Sequence, residues 1–282
     1  MREIIISPNQ AGQRLDKFCL RELGRPSKVF VHKMLRKKKI TLNGKKADGA
    51  AMLAVGDVVK FYIARDVAVK EYPAGHVDVI FEDENILVAN KPAGLLTQPN
   101  EAGGDSLVGR IPGAVAINRL DRNTSGIVIC AKNLPTAQSL SKMMHDRLIE
   151  KIYLGVAEGE IKDEMELKGF HSKNKTTNTA IIVGARIARP PAGDSKTVVT
   201  HIIPLKYADG VTCLKIYLHT GRSHQIRAHL QSIGHPLLGD VKYGGKHGRR
   251  QLLHAYQVTL PNGQSFTAPL PSDMADYFDM EV

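Results

Sequence analysis

Apolar side chains recur every three or four residues in several stretches of the chain, a spacing that predicts helices with one buried face. The predicted helices cover residues 13–23, 28–38, 135–149 and 222–234. Ser27 and Ser223 are suited to cap the second and the fourth. Pro135 fits the first turn of the third, and Gly234 fits the end of the fourth. The predicted buried stripe of the third helix is Leu140, Met144 and Leu148.

Shorter apolar runs, bounded by turn-forming residues, predict strands. They lie at 40–42, 58–63, 77–81, 86–90, 127–130, 151–159 and 213–221. After the first run, the pair Asn43-Gly44 predicts a tight hairpin turn, because both central positions of that turn need a positive φ. Strands outnumber helices and do not alternate with them regularly. The pattern therefore predicts an α+β fold around a mixed, largely antiparallel sheet.

The periodic pattern is lost between residues 64 and 76, where Pro73 and Gly75 stand. We therefore expect a small domain over 1–63, a linker over 64–76 and a larger domain over 77–282. No stretch approaches the roughly 18 uninterrupted apolar residues of a membrane span, and the first ten residues lack the apolar core of a signal peptide. These features predict a cytoplasmic protein without a membrane partner.

Positive charge is concentrated in the first quarter of the chain. The 282 residues carry a formal net charge of +11. Residues 1–70 hold 16 basic and 6 acidic side chains and so carry +10 of it. Such asymmetry is typical of a protein with a polyanionic partner, and without an amphipathic anchor it favours nucleic acid over a membrane surface. A basic surface that serves solubility alone is the alternative.

The basic quarter of the chain also has a recognisable order of elements: two short helices, the second with a cationic face, then a small hairpin. This order resembles the S4 RNA-binding domain, a small α/β domain in which the helical pair presents its basic face to RNA. The resemblance implies contacts with RNA phosphates from Arg14, Lys33, Arg36, Lys37 and Lys38.

A polar segment, NRLDRNTSG at 118–126, directly precedes the apolar run 127–130. Thr124 and Ser125 can hydrogen-bond the backbone of a turn, and Gly126 permits a close approach of another chain segment. A turn stiffened in this way could hold the carboxylate of Asp121 at a fixed angle. On the residues alone, a structural turn and an active site fit this segment equally well.

A second polar cluster surrounds Arg227 in the helix predicted at 222–234. An arginine near a helix N-terminus can hold an anion, either a phosphate or a carboxylate. His224 and His229 are five residues apart without an adjacent acid, which does not match the H-E-x-x-H metal spacing. The three cysteines lie far apart without a C-x-x-C pair, and no glycine-rich phosphate loop occurs. We therefore expect neither a metal nor a cofactor. A surface helix with an ordinary salt bridge is the alternative.

Four blocks along the chain carry a wider resemblance. They are NKPAGLLTQP (90–99), NRLDRNTSG (118–126), KIYLGVAEG (151–159) and TGRSHQIRAHLQSIGHPLLGDVKYG (220–244). In this order they resemble the RluA-type family of pseudouridine synthases, and with the S4-like part the likeness extends from about residue 13 onward. The resemblance implies a pseudouridine synthase catalytic domain that isomerises chosen uridines in RNA without a cofactor. Large-subunit ribosomal RNA is the expected substrate, with transfer RNA second.

The resemblance also implies a role for each residue of the site. Asp121 is the implied catalytic aspartate, which either attacks the sugar or removes its C2′ proton. Tyr153 is implied to stack on the target uracil and to assist proton removal at C5, and Arg227 to pair with Asp121. Arg119 is implied to help turn the nucleotide out of its stack. The pocket is expected to be shaped by Asn118, Thr124, His224, Gln225 and the Gly239-Asp240 turn. Asn118 and Gln98 stand where histidine is the commoner occupant in the family.

Two other functions remain open at this level. The basic first quarter would also suit an RNA-holding ribosome-assembly factor in which the second domain is idle. A metal-dependent RNA hydrolase is a third and weaker hypothesis. For all of them we expect a monomer.

Overall fold

The computed structural model describes residues 2–23, 28–62, 76–100, 104–174, 177, 179–184, 196–246 and 248–278. Two hydrogen-bonded sheets, one of three strands and one of eleven, organise this part of the chain. The three-stranded sheet is formed by the first 62 residues, and every strand of the larger sheet lies between residues 78 and 267. None of the helices in these ranges is long and apolar enough to cross a membrane.

The small sheet and two helices form the N-terminal unit. Its elements are β1 (Arg2–Ile5), α1 (Leu15–Glu22), α2 (Lys28–Arg36), β2 (Ile40–Leu42) and β3 (Val58–Phe61). The strand order is β1-β3-β2, with antiparallel pairing throughout. Leu15, Phe18 and Val31 from the helices and Phe61 from the sheet are buried together in one cluster. The apolar residues at helical spacing therefore form the buried faces of α1 and α2, as the sequence predicts.

Most of the expected N-terminal elements are confirmed, with small shifts. Asn43 and Gly44 have φ values of 50° and 72°, which confirms the tight turn. Helix α2 ends at Arg36, two residues before the expected end at 38, because Lys38 takes a left-handed φ of 55°. The strand β1 was not predicted. Ser27, the expected cap of α2, and the expected linker up to residue 75 lie outside the described residues.

The large sheet contains eleven strands. They are β4 (Asp78–Glu82), β5 (Ile86–Lys91), β6 (Val115–Ala116), β7 (Ser125–Ala131), β8 (Glu150–Glu158), β9 (Met165–Asn174), β10 (Thr179–Gly184), β11 (Lys196–Ala208), β12 (Val211–Leu218), β13 (Leu253–Thr259) and β14 (Ser265–Thr267). The order is β10-β9-β11-β12-β8-β13-β7-β5-β4, while β14 pairs with β13 and β6 with β7. Only the β7–β13 pair is parallel among these described strands, which confirms the mixed, largely antiparallel sheet.

Short helices accompany this sheet. They are α3 (Leu107–Arg110), α4 (Leu134–His145), α5 (Gln225–Ser232) and α6 (Ser272–Ala275), with 3-10 turns at Val241–Tyr243 and Asp276–Phe278. Leu87 and Ala89 of β5 belong to the same hydrophobic cluster as Ile226 of α5. Ile86 of β5 belongs to another cluster, which includes Leu140 of α4. Because side chains alternate along a strand, the two clusters cover opposite faces of the sheet.

Helix α4 is shorter than predicted. Asn133 caps it by accepting a hydrogen bond from the Thr136 amide at 2.9 Å. It ends at His145, and Arg147 then reverses the chain with a left-handed φ of 62°. The expectation that Leu148 belongs to the buried stripe is therefore wrong, because this side chain lies beyond the helix and is exposed.

The predicted cap of α5 is also wrong. The N-cap position is held by His224, whose backbone is left-handed (φ 56°, ψ 20°), and not by Ser223. The Gln225 carboxamide oxygen instead accepts the Arg222 amide at 3.1 Å and the Thr220 hydroxyl at 2.8 Å. Gly234 follows the last turn with a φ of 83°, as expected for the end of a helix.

The parallel β7–β13 contact brings distant segments of the chain together. Gly126 on β7 lies opposite Ala255 on β13, and Ala255 in turn pairs with Tyr153 on β8. A Cβ atom on Gly126 would lie only 2.2 Å from the Ala255 carbonyl oxygen. The close approach that Gly126 was expected to permit is therefore used here, and it leaves a single strand, β13, between the start of β7 and the strand that carries Tyr153.

Candidate active site

A cleft of about 560 Å³ opens beside the start of β7, at the N-terminal end of α5. Its lining includes all the residues that the sequence assigned to the catalytic and substrate-binding positions: Asn118, Arg119, Asp121, Thr124, Tyr153, His224, Gln225 and Arg227. These residues come from three blocks separated by up to about a hundred positions. The volume lies within the range of roughly 300–1,000 Å³ that is typical of small-molecule sites.

Asp121 and Arg227 form an ion pair in the cleft. The Arg227 Nη1 donates to Asp121 Oδ2 at 3.0 Å. The other two nitrogens of the guanidinium donate to the two carboxylate oxygens of Asp240, at 2.6 and 2.7 Å. One arginine therefore joins a buried carboxylate to one that faces the cleft, since the side chain of Asp240 is 1% exposed and that of Asp121 is 25% exposed.

The environment of Arg227 keeps its positive charge in place. Burial alone would lower the pKa of Arg227, but the hydrogen bonds and charges of Asp240 and Asp121 outweigh it and raise the pKa. The guanidinium carbon also lies 4.8 Å from the centre of the Tyr243 ring, a cation–π contact. A forked guanidinium held by two carboxylates has little freedom to rotate, so the Asp121 carboxylate is held in one orientation.

His224 and Tyr243 form a second layer beside the ion pair. The Tyr243 oxygen accepts the Ala180 amide at 2.7 Å and lies 2.9 Å from His224 Nδ1. Burial raises the pKa of Tyr243, which leaves the phenol with a proton to donate to Nδ1. His224 Nε2 then carries the ring hydrogen, and this atom lies 3.7 Å from Asp121 Oδ1. Burial lowers the pKa of His224, so the ring faces the carboxylate in its neutral form.

Lys91 supports the loop that carries Asp121. This side chain is fully buried, and its Nζ donates to the carbonyls of Pro92 and Leu95 at 2.8 Å and to that of Arg122 at 3.1 Å. Burial lowers the pKa of Lys91 to about 7, and the charge of Asp121 opposes that shift. Three carbonyl acceptors match the three protons of an ammonium group.

Further contacts join the same two segments. The Thr97 hydroxyl donates to the Leu120 carbonyl at 3.0 Å and accepts the Leu120 amide at 3.1 Å. The Arg122 Nε donates to the Gly94 carbonyl at 2.9 Å, and the Gly94 amide donates back to the Arg122 carbonyl at 2.8 Å. The block at 90–99 therefore stabilises the loop that carries Asp121.

Tyr153 lies on β8 in the central part of the sheet, and its side chain is nearly buried in the cleft wall. Burial first, and the charge of Asp121 second, raise the pKa of Tyr153. The ring therefore remains a neutral phenol at physiological pH. Leu253 and Ile226 are buried in the same hydrophobic cluster as Tyr153 and also line the cleft, so this part of the wall is apolar.

Two of the predicted substrate-binding side chains form hydrogen bonds that stabilise the fold. Asn118 donates to the Ile127 carbonyl and accepts the Ile129 amide, which ties it to β7. Gln225 Nε2 donates to the Val199 carbonyl and to the Thr200 hydroxyl, in addition to the two bonds that its oxygen accepts. These contacts make positioning the first task of both residues. Their contact with substrate stays a prediction.

Two hydroxyl groups differ from expectation. The side chains of Thr124 and Ser125 were expected to hydrogen-bond the backbone of their own turn. Instead, the Thr124 hydroxyl accepts from Gln251 at 3.3 Å, and the Ser125 hydroxyl lies 2.9 Å from His254 Nδ1. The turn itself is closed by the Thr124 amide, which donates to the Asp121 carbonyl at 3.1 Å.

The predicted RNA-binding residues of the N-terminal unit fall into two groups. Arg14 forms a two-pronged ion pair with Asp16, at 3.1 and 2.8 Å. The others are exposed, and no ion-pair partner is recorded for them among the described residues: Lys33, Arg36, Lys37 and Lys38. The second group therefore presents four cations to solvent at the end of α2 and in the turn that follows it.

Some features of the site were not predicted from the sequence. The pairing of Asp240 with Arg227, the aromatic contact of Tyr243 and the buried position of Lys91 were all missed, although each residue lies in a quoted block. For Lys91 the sequence contains one usable signal, which is the pair Lys91-Pro92 directly after an apolar strand. A lysine buried at the end of a strand needs several hydrogen-bond acceptors nearby. No local pattern signals the other two contacts. No group of three or more His, Cys, Asp or Glu side chains placed to hold a metal occurs in the described ranges.

Comparison with protein families gives two matches. Residues 85–232 match the model of the RNA pseudouridylate synthases. The chain belongs to this family. It is accordingly an RNA pseudouridine synthase, and residues 13–59 match the S4 domain, as the N-terminal elements predicted. The matched regions include Asp121, Tyr153 and Arg227, while Asp240 and Tyr243 lie beyond the end of the first.

Curated relatives and a solved structure agree with the family assignment. The chain is 30% identical to an uncharacterized RNA pseudouridine synthase of Bacillus subtilis, over 96% of this chain and 94% of that one. It is 29% identical to ribosomal large subunit pseudouridine synthase D of Salmonella typhimurium, over 97% and 92%. The structure of human RNA pseudouridylate synthase domain containing 1 superposes with a TM-score of 0.60 at 25% identity, covering 73% of this chain and 87% of that one.

Proposed function

We propose that this pseudouridine synthase modifies uridines of large-subunit ribosomal RNA and that Asp121 is its essential catalytic group. The names of relatives from Salmonella typhimurium and Neisseria meningitidis, both ribosomal large subunit pseudouridine synthase D, support the substrate class. The S4 match and the basic first quarter fit a large, structured RNA. Transfer RNA is the second candidate.

The observation that carries the proposal for Asp121 is its ion pair with Arg227 at the wall of the cleft. Pseudouridylation breaks the bond between uracil N1 and the ribose, rotates the base and rejoins it through C5. The reaction needs an ionised carboxylate, either to attack C1′ or to take the C2′ proton. Arg227 Nη1 donates to Oδ2 at 3.0 Å, while His224 Nε2 lies 3.7 Å from Oδ1. The less constrained oxygen is then the one we assign to the reaction.

Tyr153 is proposed to stack on the extruded uracil. Stacking of a base on an aromatic ring returns about 1–3 kcal/mol. Because burial raises the pKa of Tyr153, the hydroxyl acts as a hydrogen-bond donor at neutral pH. This favours a role in holding the base over a role as a phenolate that takes the C5 proton.

Arg119 is proposed to occupy the gap that the base leaves in the RNA stack. Removing a base from its stack costs roughly a few kcal/mol. Arg119 lines the cleft but is exposed, unlike Arg227. A planar guanidinium at the cleft edge can stack on a neighbouring base. The N-terminal unit would bind the RNA phosphates nearby through the four exposed cations of α2 and its turn.

The extent of the domains and the oligomeric state belong to the same proposal. We place the S4-like domain at 1–63, a linker at 64–76 and the catalytic domain at 77–282. The family matches at 13–59 and 85–232 support two units on either side of that linker. We expect a monomer in solution.

The decisive experiment maps pseudouridines in total RNA by carbodiimide labelling and primer extension. Cells without the protein should lose a defined set of modifications in large-subunit ribosomal RNA. Wild-type protein should restore them, and Asp121→Asn should not, while retaining nearly the wild-type RNA affinity, because one neutralised group changes a basic footprint little. Full modification by Asp121→Asn would refute the catalytic role. Loss of sites in transfer RNA alone would redirect the substrate.

A further inference from the structure

Lys151 is a buried cation that neither the fold nor the proposed reaction uses. It lies on β8 two residues before Tyr153, lines the same cleft, and is 7% exposed. The only hydrogen-bond partner recorded for its ammonium group among the described residues is the Met144 sulfur, at 3.7 Å. Thioether sulfur is a weak acceptor. A buried lysine normally reaches water or a carboxylate, so this one is left without a counter-ion.

The neighbourhood adds positive charge to Lys151 and does not cancel it. Arg147 lines the same end of the cleft and is exposed. Asp146, which precedes Arg147 in the chain, already pairs with Lys142 at 2.5 Å and with His145 at 3.0 Å. Burial, and then the charge of Arg147, lower the pKa of Lys151. Two cations therefore face one end of a cleft whose walls contain apolar residues, where the cost of an unpaired charge is greatest.

The spacing along β8 relates this end of the cleft to the base-binding end. Residues i and i+2 of a strand point to the same face, about 6–7 Å apart. Lys151 and Tyr153 are related in this way. This separation is comparable to the reach from the base of a nucleotide to its backbone phosphate. A polynucleotide whose uracil stacks on Tyr153 would bring a phosphodiester near Lys151.

We infer that Lys151, with Arg147, forms a subsite for a backbone phosphate next to the extruded uridine. This inference rests on the proposed function, because the ligand is the RNA that Tyr153 engages. The phosphate supplies the missing counter-ion, so the subsite is filled only when RNA is seated in the cleft. Lys151 is then a binding residue for the flanking nucleotide, while Asp121 carries out the chemistry.

The test compares RNA affinity and turnover in Lys151→Met, Lys151→Arg and the matched control Lys162→Met. Methionine keeps the length of the stem and removes a buried charge, so folding should be retained. Lys162 is an exposed lysine of the same unit that does not line the cleft. Transcribed fragments of large-subunit ribosomal RNA serve as ligand at several salt concentrations.

We expect Lys151→Met to weaken binding by about 10-fold, the loss typical of one hydrogen-bonded charge. The slope of log affinity against log salt should become shallower by about 0.7–0.9, as for one lost phosphate contact. In turnover, Lys151→Met should raise KM and leave kcat within about 3-fold of wild type. Lys151→Arg should recover most of the affinity, and Lys162→Met should match wild type. Unchanged affinity and slope in Lys151→Met would overturn the inference.

A second measurement does not depend on the stability of the Lys151 variant. Arg147→Met removes the exposed cation of the same subsite and should make the salt slope shallower in the same direction, with a smaller loss of affinity. An unchanged slope in Arg147→Met would count against the subsite. The proposed function is read separately, from the wild-type protein alone: if wild type converts no uridine in ribosomal RNA, that function fails, while the binding slopes still decide the role of Lys151.

Discussion

Positive charge is used differently in the two parts of the molecule. At the end of α2 and in the turn after it, Lys33, Arg36, Lys37 and Lys38 are exposed, and none of them forms an ion pair with another described residue. In the cleft, Arg227 is 8% exposed and is fixed by two carboxylates and an aromatic ring. The first arrangement leaves the charges free to meet phosphates in many geometries. The second commits one charge to one geometry.

This difference indicates that RNA affinity and catalysis depend on different parts of the molecule. Exposed charges attract a polyanion over long distances, and salt screens them. A buried charge is screened much less, but its removal leaves its partners unpaired in a dry environment. Mutations in the two regions should therefore differ in their effects on stability, on rate and on the response to salt.

The largest effect is expected from Arg227→Met. It leaves the buried Asp240 carboxylate without its partner, and breaking a buried pair costs about 3–5 kcal/mol. Urea denaturation should show this loss of unfolding free energy, and pseudouridine formation in RNA should be lost as well. In the double variant Arg227→Met/Asp240→Leu, stability should largely return without activity. The exposed pair gives the control, because Lys142→Met should cost about 0–1 kcal/mol. Wild-type stability in Arg227→Met would contradict this account.

The next effect is a pH dependence caused by His254. Burial lowers the pKa of His254 to about 4. In the unfolded chain a histidine titrates near 6.5, so between pH 6.5 and 4 the unfolded state takes up a proton that the folded state does not. Stability should therefore fall as the pH drops through this window, and His254 alone should contribute about 3 kcal/mol to the loss.

The measurement is urea denaturation at pH 7, 5.5 and 4. His254→Gln should flatten the pH dependence, although it also weakens the contact with Ser125 at all pH values. His145→Gln is the matched control, since His145 is an exposed histidine of the same domain. An equal pH dependence in wild type and His254→Gln would show that other groups cause the acid sensitivity.

A smaller effect is expected at Tyr153. Tyr153→Leu removes a stacking surface worth about 1–3 kcal/mol, so kcat/KM should fall by roughly 10- to 100-fold. Tyr153→Phe keeps the ring and should retain most of the substrate affinity. Steady-state kinetics on a mapped ribosomal RNA fragment measure both. If leucine serves as well as phenylalanine, the ring does not stack on the base.

The smallest effect per residue is expected at the exposed cations. Lys33→Gln, Arg36→Gln and Lys37→Gln should each make the slope of log affinity against log salt shallower by about 0.7–0.9, if each residue meets one phosphate. Arg14→Gln should change the slope less, because Arg14 is already paired with Asp16. Filter binding at several salt concentrations measures the slopes. An unchanged slope in the triple variant would place the RNA elsewhere.

The sequence predicted the fold class and part of the secondary structure, because alternation and helical spacing are local patterns. Seven of the fourteen described strands and the four longest helices were expected. The members of the site came from the resemblance of the four blocks to a known family, and their roles stay predictions. Errors occurred at the ends of elements. The left-handed backbones of Arg147 and His224 ended or opened helices where the side-chain pattern gave no signal.

Contacts between particular side chains were not predicted from the sequence. Asp240 and Arg227 are thirteen residues apart, and only the turn after α5 brings them together. Lys91 meets the Asp121 loop through backbone carbonyls, which every residue has and no pattern marks. The unpaired state of Lys151 is a property of what surrounds it in three dimensions. Such features require coordinates.

The close packing of Gly126 has a wider consequence. A single methyl group at that position would act as a wedge between two strands and would turn the carboxylate of residue 121 away from the phenol of residue 153, with both of those residues unchanged. Packing therefore restricts substitution at position 126, although this residue takes no part in the reaction. A screen that scored only the reacting groups would overlook it.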